Sequence, residues 1–147
     1  MEKYRIVVVD DEALTRLDIK EMLLEMGHVV AGEGRNGVEA VELAEKLKPE
    51  LIIMDVKMPH MDGLKAAKLI SGRKLAPVLL LTAYSDAEVI SKSIDSGVMG
   101  YLTKPVMEHD LGPAIRITVR RYREMAKLKT RKAELQQEIQ SGINRPS

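Results

Sequence analysis

The sequence predicts an α/β fold: a doubly wound parallel sheet of five strands, with helices on both faces. Short β-branched and aliphatic runs alternate with longer segments of helical periodicity, and this pattern occurs five times along the chain. The runs are continuously apolar, as in Val7-Val8-Val9, which is typical of parallel strands buried on both faces. Five successive strand-then-helix units imply an all-parallel sheet.

The predicted elements follow one another as alternating strands and helices. The predicted strands are residues 5–9, 29–33, 51–54, 78–81 and 99–102. The predicted helices are residues 12–26, 37–47, 62–70, 86–96 and 107–140. Gly27, Gly72 and Gly97 lie at or just past helix ends, where we expect a positive φ. Pro49 follows the second helix, which it cannot continue.

The composition predicts a cytoplasmic protein and excludes several classes of function. The 147 residues are 45% hydrophobic and 31% charged, which suits one α/β domain with a segment left over. The absence of cysteine excludes a disulfide scaffold and any cysteine metal site. The apolar runs are too short for a signal peptide or for a membrane span of roughly 18 residues. A glycine-rich stretch at 32–37 lacks both the P-loop lysine and the dinucleotide-binding spacing.

Polar residues end or follow four of the predicted strands, where ligands bind in open α/β sheets. Asp10 and Asp11 follow the first strand, Asp55 the third, Thr82 the fourth and Lys104 the fifth. Three neighbouring carboxylates repel one another and need a cation, and hard oxygen ligands suit Mg²⁺. Together with a lysine and a hydroxyl, this set predicts phosphorylation of an aspartate. In that chemistry the metal and the lysine neutralise the transferred phosphoryl group.

Four motifs make the chain similar to the response-regulator receiver family of two-component signalling systems. They are VVVDDE at 7–12, IIMDVKMPHMDG at 52–63, LLTAY at 80–84 and GYLTKP at 100–105. The resemblance covers residues 1–121 and implies a flavodoxin-like fold with strand order 2-1-3-4-5. It also implies a signalling protein that is not an enzyme. Its phosphoryl donor would be a sensor histidine kinase or a phosphotransfer protein.

The resemblance also implies a role for each residue of the site. Asp55 would be the phospho-acceptor, and Thr82 would hydrogen-bond the phosphoryl group. The metal ligands would be Asp11 and Asp55, with Asp10 nearby, and the backbone carbonyl of Lys57.

Three further assignments concern the switch that phosphorylation operates. Lys104 would pair with the phosphoryl group, and the Lys104–Pro105 peptide bond would be cis. Tyr101 occupies the switch-aromatic position and would turn inward when Thr82 moves. The surface formed by the fourth helix, the fifth strand and the fifth helix would then change.

Plainer interpretations of the same residues remain open. Asp10 and Asp11 are favoured helix-capping residues, and Tyr101 could be a static side chain of its strand. The main rival function is a phosphatase of the haloacid-dehalogenase type, which also forms an aspartyl phosphate. Those enzymes place a general-acid aspartate two residues after the nucleophile, where this chain has Lys57. A degenerate pseudo-receiver is disfavoured by the complete acidic set.

The last predicted helix extends beyond a receiver, through residues 122–140, before a frayed tail at 141–147. At 1.5 Å per residue, the span 107–140 is about 50 Å long, and its far half needs a partner. A short heptad seam predicts a parallel homodimeric coiled coil. Its positions are Met125, Leu128, Lys132, Leu135 and Ile139. The alternatives are a solvated helix or a truncated linker.

This helix is also basic, which raises nucleic-acid binding as an alternative output. Residues 116–134 carry eight Lys or Arg and two Glu, a net charge of +6, whereas residues 1–115 sum to −5. The receiver and the helix together resemble the N-terminal part of antiterminator-type (ANTAR) regulators, through the segment TRKAELQQEI at 130–139. We expect the RNA-binding module of that family to be missing from this chain. With Tyr122 as the helix's one aromatic residue, we favour a basic coiled-coil face over RNA binding.

Overall fold

The computed structural model describes residues 2–83, 91 and 97–144 of the chain. Five strands are present: β1 (Arg5–Val9), β2 (Val29–Gly34), β3 (Leu51–Asp55), β4 (Val78–Thr82) and β5 (Gly100–Thr103). The described helices are α1 (Ala13–Glu25), α2 (Gly37–Leu47), α3 (Gly63–Gly72) and α4 (Glu108–Asn144). The helix predicted at 86–96 lies outside the described residues, apart from Ser91.

The five strands form one sheet in the order β2-β1-β3-β4-β5, and every pairing is parallel. This topology confirms the predicted fold class and strand order. In the register, Val9 lies opposite both Gly34 and Met54, and Asp55 lies opposite Leu81. The carboxyl ends of the central strands therefore lie side by side at one edge of the sheet.

Each face of the sheet contributes to one of two apolar clusters, because successive strand residues point to opposite faces. One cluster combines strand residues with α2 and α3, and includes Val7, Ile52 and Ala66. The other combines strand residues with α1 and the first turns of α4, and includes Ile53 and Leu111. All side chains of β3 and β4 are buried, as their uninterrupted apolar sequences predict.

The glycine prediction at the end of α3 is wrong. Gly27 and Gly97 have the predicted positive φ, at 88° and 76°. Gly72 does not, since it is the last residue of α3 and the backbone turns two residues later at Lys74, with φ of 55°. The amide of Lys74 donates to the carbonyl of Ser71, and that of Leu75 to Ile70, so the reversal is fixed by these bonds.

The last helix is longer than predicted. α4 has 37 residues and continues to Asn144, four residues past the predicted end, which corresponds to about 55 Å. Its first turns are buried on the sheet through Leu111, Ile115 and Val119. Within the described part of the chain, no helix combines the length and the apolar character that crossing a membrane requires.

Candidate functional site

Asp10 follows β1 and is held by both its backbone and its side chain. Its N–H donates to the carbonyl of Gly34 at 3.1 Å, which ties the end of β1 to β2. One carboxylate oxygen accepts the backbone N–H of Glu12 at 2.9 Å. The residue has no exposed surface. A buried carboxylate is tolerated only when hydrogen bonds and cations satisfy its charge, and both are present here.

Asp55 is the last residue of β3, and the loop after it approaches the strand closely. The N–H of Val56 donates to Leu81 at 3.0 Å, and the N–H of Gly63 donates back to Val56 at 2.7 Å. A Cβ at position 63 would overlap the backbone carbonyl of Asp55. Glycine at this position therefore lets the loop fold against the strand that carries the carboxylate.

The carboxylates of Asp10, Asp11 and Asp55 converge, as the strand-end argument predicts. One oxygen from each lies within 4.8 Å of the others. Asp11 is exposed while Asp10 and Asp55 are buried, so the cluster opens to solvent on the Asp11 side. Three hard oxygen donors with one open side fit the preference of Mg²⁺, which keeps several waters and phosphate oxygens in its shell. Lys57 lies two residues past β3, with its side chain exposed.

Lys104, which follows β5, supplies positive charge to the site. Its ammonium nitrogen lies 3.1 Å from Asp10 Oδ2 and 3.2 Å from Asp55 Oδ2. Its backbone N–H donates to the carbonyl of Thr82 at 2.7 Å, so the lysine is anchored to the end of β4. The Lys104–Pro105 peptide bond is cis, which confirms that prediction.

The environment shifts the protonation equilibria of the acceptor and the lysine. Burial raises the pKa of Asp55 above its ordinary value, and the neighbouring charge of Asp10 raises it further. Lys104 opposes these effects without cancelling them. Burial alone would lower the pKa of Lys104, but the hydrogen bond that it donates to Asp10 and the charges of both carboxylates raise it overall. The lysine therefore stays charged between the two acids.

The two predicted switch residues occupy neighbouring strands. Thr82 is buried as the last residue of β4, one position beyond Leu81, the register partner of Asp55. Tyr101 lies in β5 opposite Leu80, and 47% of its surface is exposed. The structure thus brings Thr82 to the same edge as the carboxylates and leaves Tyr101 on the outer surface. The inward turn of Tyr101 stays a prediction.

Arg16 in α1 also contacts the site, and sequence reasoning missed it. Its Nη1 donates to the backbone carbonyl of Asp10 at 2.7 Å, and its Nε donates to Glu33 at 3.3 Å. Lys20 donates to the same glutamate at 2.8 Å. The arginine therefore holds the turn between β1 and α1 that presents Asp11. An arginine on a surface helix looks like a solvated charge in the sequence, and nothing in the spacing distinguishes it.

Comparison with known sequences identifies relatives for most of the chain. The profile of the response regulator receiver domain family matches residues 6–116. The transcriptional regulatory protein PdtaR of Mycobacterium tuberculosis is 45% identical over 137 residues. That match covers 93% of this chain and 67% of PdtaR. The transcriptional regulatory protein YdfI of Bacillus subtilis is 36% identical, over 76% of this chain and 55% of YdfI. Both relatives extend well beyond the matched region.

Solved structures show the same fold. The response regulator domain of Thermotoga maritima CheB superimposes with a TM-score of 0.74 at 29% identity. That match covers 81% of this chain and 98% of the CheB domain. The signal receiver domain of a modulated diguanylate cyclase from Desulfovibrio desulfuricans G20 gives a TM-score of 0.77 at 25% identity, covering 84% of this chain and 99% of that domain.

Proposed function

The chain belongs to the response regulator receiver domain family, and from this membership we propose that it accepts a phosphoryl group on Asp55 from a sensor histidine kinase or a phosphotransfer protein. The observation that carries the proposal is the convergence of three carboxylates and one lysine at the carboxyl edge of the sheet. Such a set is expensive to assemble unless it binds a cation and a phosphoryl group.

In the proposed reaction, a carboxylate oxygen of Asp55 attacks the phosphorus atom of a phosphohistidine. A phosphorus–oxygen bond forms, the phosphorus–nitrogen bond breaks, and the imidazole nitrogen of the donor leaves with the bonding electron pair. Lys104 lies within hydrogen-bond distance of Asp55 and neutralises charge on the transferred group. Asp11, Asp55 and the carbonyl of Lys57, with Asp10 nearby, would hold Mg²⁺, which when bound neutralises and orients phosphoryl oxygens.

The proposed switch follows from the change at Asp55. Phosphorylation turns one carboxylate into a larger group with more negative charge, which draws the hydroxyl of Thr82 and the ammonium of Lys104 toward it. Thr82 lies at the end of β4, beside the strand that carries Tyr101. We therefore expect the surface around β5 and α4 to change on phosphorylation, with Tyr101 turning inward.

Incubation with acetyl phosphate and Mg²⁺ tests the phospho-acceptor directly. We expect intact-mass spectrometry to show a gain of one phosphoryl group in the wild-type chain and none in Asp55→Asn. Asp62→Asn is the matched control, because this acid lies nearby but serves to cap α3 through the amide of Lys65. Asparagine caps helices as well as aspartate does. A phosphorylated Asp55→Asn variant would refute the assignment.

We also propose that α4 forms a parallel homodimeric coiled coil. Three seam side chains are exposed in the single chain: Leu128 at 67%, Leu135 at 47% and Ile139 at 61%. Exposed apolar side chains at heptad spacing on a helix are stabilised by pairing with a second copy. The far half of α4 would then be stable because of its partner.

Light scattering after size-exclusion chromatography tests the dimer and its control by phosphorylation. We expect a change in the dimer fraction when beryllofluoride and Mg²⁺ are added. Leu135→Asp should give a monomer, because a charge at the seam is desolvated on pairing. Gln137→Asp, two positions away on the outer face, should leave the mass unchanged. Equal masses for wild type and Leu135→Asp in every condition would exclude a dimer formed through this seam.

Nucleic-acid binding is a second candidate for the output. The observation that favours it is a row of arginine and lysine side chains on α4 without hydrogen-bond or ion-pair partners in the described structure. The similarity to PdtaR, named a transcriptional regulatory protein, supports a nucleic-acid output. The resemblance to antiterminator-type regulators supports RNA as the nucleic acid. A salt-dependent electrophoretic shift of RNA by residues 1–147 tests this output, and no shift at low salt would exclude it.

A further inference from the structure

A groove of about 390 Å³ lies where α4 passes the amino-terminal ends of β1 and β2, at the opposite edge of the sheet from Asp55. Tyr4 and His28, which precede these two strands, line its inner side. Its outer side is one face of α4. The basic residues of that face are Arg116, Arg120, Arg123 and Lys127. The volume is within the range of known ligand sites.

The inner side of the groove is a fixed surface. The backbone N–H of Tyr4 donates to Nδ1 of His28 at 3.1 Å, and the two rings stack with centroids 5.5 Å apart. The guanidinium of Arg123 lies 5.5 Å from the Tyr4 ring centroid and donates to Glu2 and Glu50 at 3.0 and 3.4 Å. Arg123 is therefore occupied in fastening α4 to the domain.

The remaining cations of the groove have no such role. Arg116, Arg120 and Lys127 are exposed, and none makes a hydrogen bond or ion pair within the described part of the chain. Glu124 is the one unpaired acid among the lining residues, since Glu2 is paired with Arg123. Three unpaired cations against one acid leave a local excess of positive charge, on a chain whose first 115 residues are acidic.

These cations occupy a face of α4 that its other contacts do not use. At roughly 100° per residue, the unpaired row points about 120° away from the buried residues Leu111, Ile115 and Val119. The same row points about 100° away from the proposed seam at Leu128, Leu135 and Ile139. Pairing of two helices through the seam therefore leaves the basic row open on each copy.

We propose that this groove binds the phosphate backbone of a nucleic-acid strand, an inference that rests on the nucleic-acid output proposed above. Residues 116–127 rise by about 16 Å along the helix, so one small phosphate compound cannot reach all three unpaired cations. A nucleic-acid strand carries a charge about every 3.4 Å and spans that distance. Because Tyr4 and His28 are buried, they offer no face on which bases stack. The binding is therefore electrostatic, insensitive to sequence and sensitive to salt.

Fluorescence anisotropy with the full chain tests the site. The probes are a labelled 20-nucleotide single-stranded RNA and a labelled DNA duplex, titrated at 50 and 200 mM salt. We expect the triple variant Arg116→Gln, Arg120→Gln, Lys127→Gln to bind at least tenfold more weakly at 50 mM. Its salt slope for the single strand should fall by about two, since each lost phosphate contact removes about 0.7.

A matched control removes the same charge elsewhere. Lys46, Lys65 and Lys68 are exposed on α2 and α3, away from the groove, and their triple Gln variant should change affinity less than twofold. Circular dichroism melts check that both variants fold. Equal weakening by both triple variants would reduce the effect to net charge and overturn the site.

The other outcomes separate the site from the output. RNA binding that the groove variant leaves intact would keep the nucleic-acid output but place it elsewhere on the chain. No binding of either probe at 50 mM salt would rule out both the groove site and the nucleic-acid output. Displacement of RNA by micromolar inorganic tripolyphosphate would identify a small oligophosphate as the ligand of the groove. That result would overturn the proposal of a nucleic-acid strand. Tighter binding of RNA than of duplex would identify a single strand as the ligand, and the reverse would identify duplex DNA.

Discussion

The ammonium nitrogen of Lys104 lies 3.1 Å from a carboxylate oxygen of Asp10, although 94 positions separate the two residues in the chain. The other oxygen of Asp10 accepts the amide of Glu12. Asp10 is therefore satisfied before any ligand arrives, and the same lysine also reaches Asp55. The acidic cluster is held in the folded protein by one cation that both buried acids share.

Replacing that cation should destabilise the protein more than replacing an exposed lysine. Lys104→Ala leaves Asp10 and Asp55 facing each other without a positive charge, and we expect a loss of about 2 kcal/mol in the free energy of unfolding. Urea denaturation measures the loss, with Lys57→Ala as the exposed control. Added Mg²⁺ should restore part of the stability of Lys104→Ala. An unchanged urea midpoint without metal would contradict the shared role.

Asp55→Asn should stabilise the metal-free protein at neutral pH. Burial and Asp10 raise the pKa of Asp55 in the folded state, so folding favours its protonated form. That contribution to stability is complete below the unfolded pKa of about 3.9 and is lost as pH rises through the higher folded pKa. The asparagine variant should therefore be more stable than wild type at pH 7, with the difference vanishing near pH 3.

Urea denaturation between pH 3 and pH 7.5, in the presence of a chelator, measures this difference. The control is Asp18→Asn, since Asp18 is an exposed acid of α1 outside the cluster. Its stability relative to wild type should not change in this way with pH. An asparagine variant that is less stable than wild type at pH 7 would show that the bond from Lys104 outweighs burial and the repulsion from Asp10.

Mg²⁺ should stabilise the wild-type protein through the acidic cluster. A ligand at 100 times its dissociation constant adds about 2.7 kcal/mol to the free energy of unfolding. Asp11→Asn removes the exposed member of the cluster and should abolish most of the thermal shift that millimolar Mg²⁺ produces. Asp18→Asn serves again as the control. Equal shifts in both variants would mean that the metal binds outside the cluster.

Arg16→Ala should destabilise the turn that carries Asp10 and Asp11 without removing any carboxylate of the cluster. Its loss leaves the Asp10 carbonyl without a charged donor, and we expect a cost of about 1 kcal/mol together with slower phosphorylation by acetyl phosphate. Lys20→Ala is a close control, since Lys20 pairs with the same Glu33 but does not reach Asp10. Equal effects of the two substitutions on phosphorylation would assign the role to Glu33 and the α1–β2 contact.

The residues at strand ends were predictable because chain topology alone gathers them. Asp10, Asp55 and Lys104 follow apolar strands, and a parallel sheet places the carboxyl ends of its strands together whatever the side-chain details. Arg16 and the groove at Tyr4 were not predictable in this way. Their contacts depend on how a helix is rotated and where it crosses the sheet, and helical periodicity fixes neither with enough precision.

The prediction of where the backbone reverses after α3 failed for a related reason. Glycine is the usual residue for a left-handed turn, but Lys74 adopts that conformation because hydrogen bonds on either side determine it. Gly72 is instead the last residue of the helix. Residue propensity predicts where a left-handed turn costs little free energy. The packing of α3 against its neighbours decides where the turn forms.

The continuity of α4 has a mechanical consequence. The last buried residue of α4, Val119, and the end of its apolar seam, Ile139, are joined by one uninterrupted helix with a rise of about 30 Å. A helix of this length converts a small change in angle at one end into a larger displacement at the other. A tilt of about 10° where the helix leaves the sheet would displace its far end by about 5 Å, a distance comparable to one helical turn. Under the proposed switch, a small movement beside Thr82 that tilts α4 would therefore produce a larger displacement at the far end of the helix.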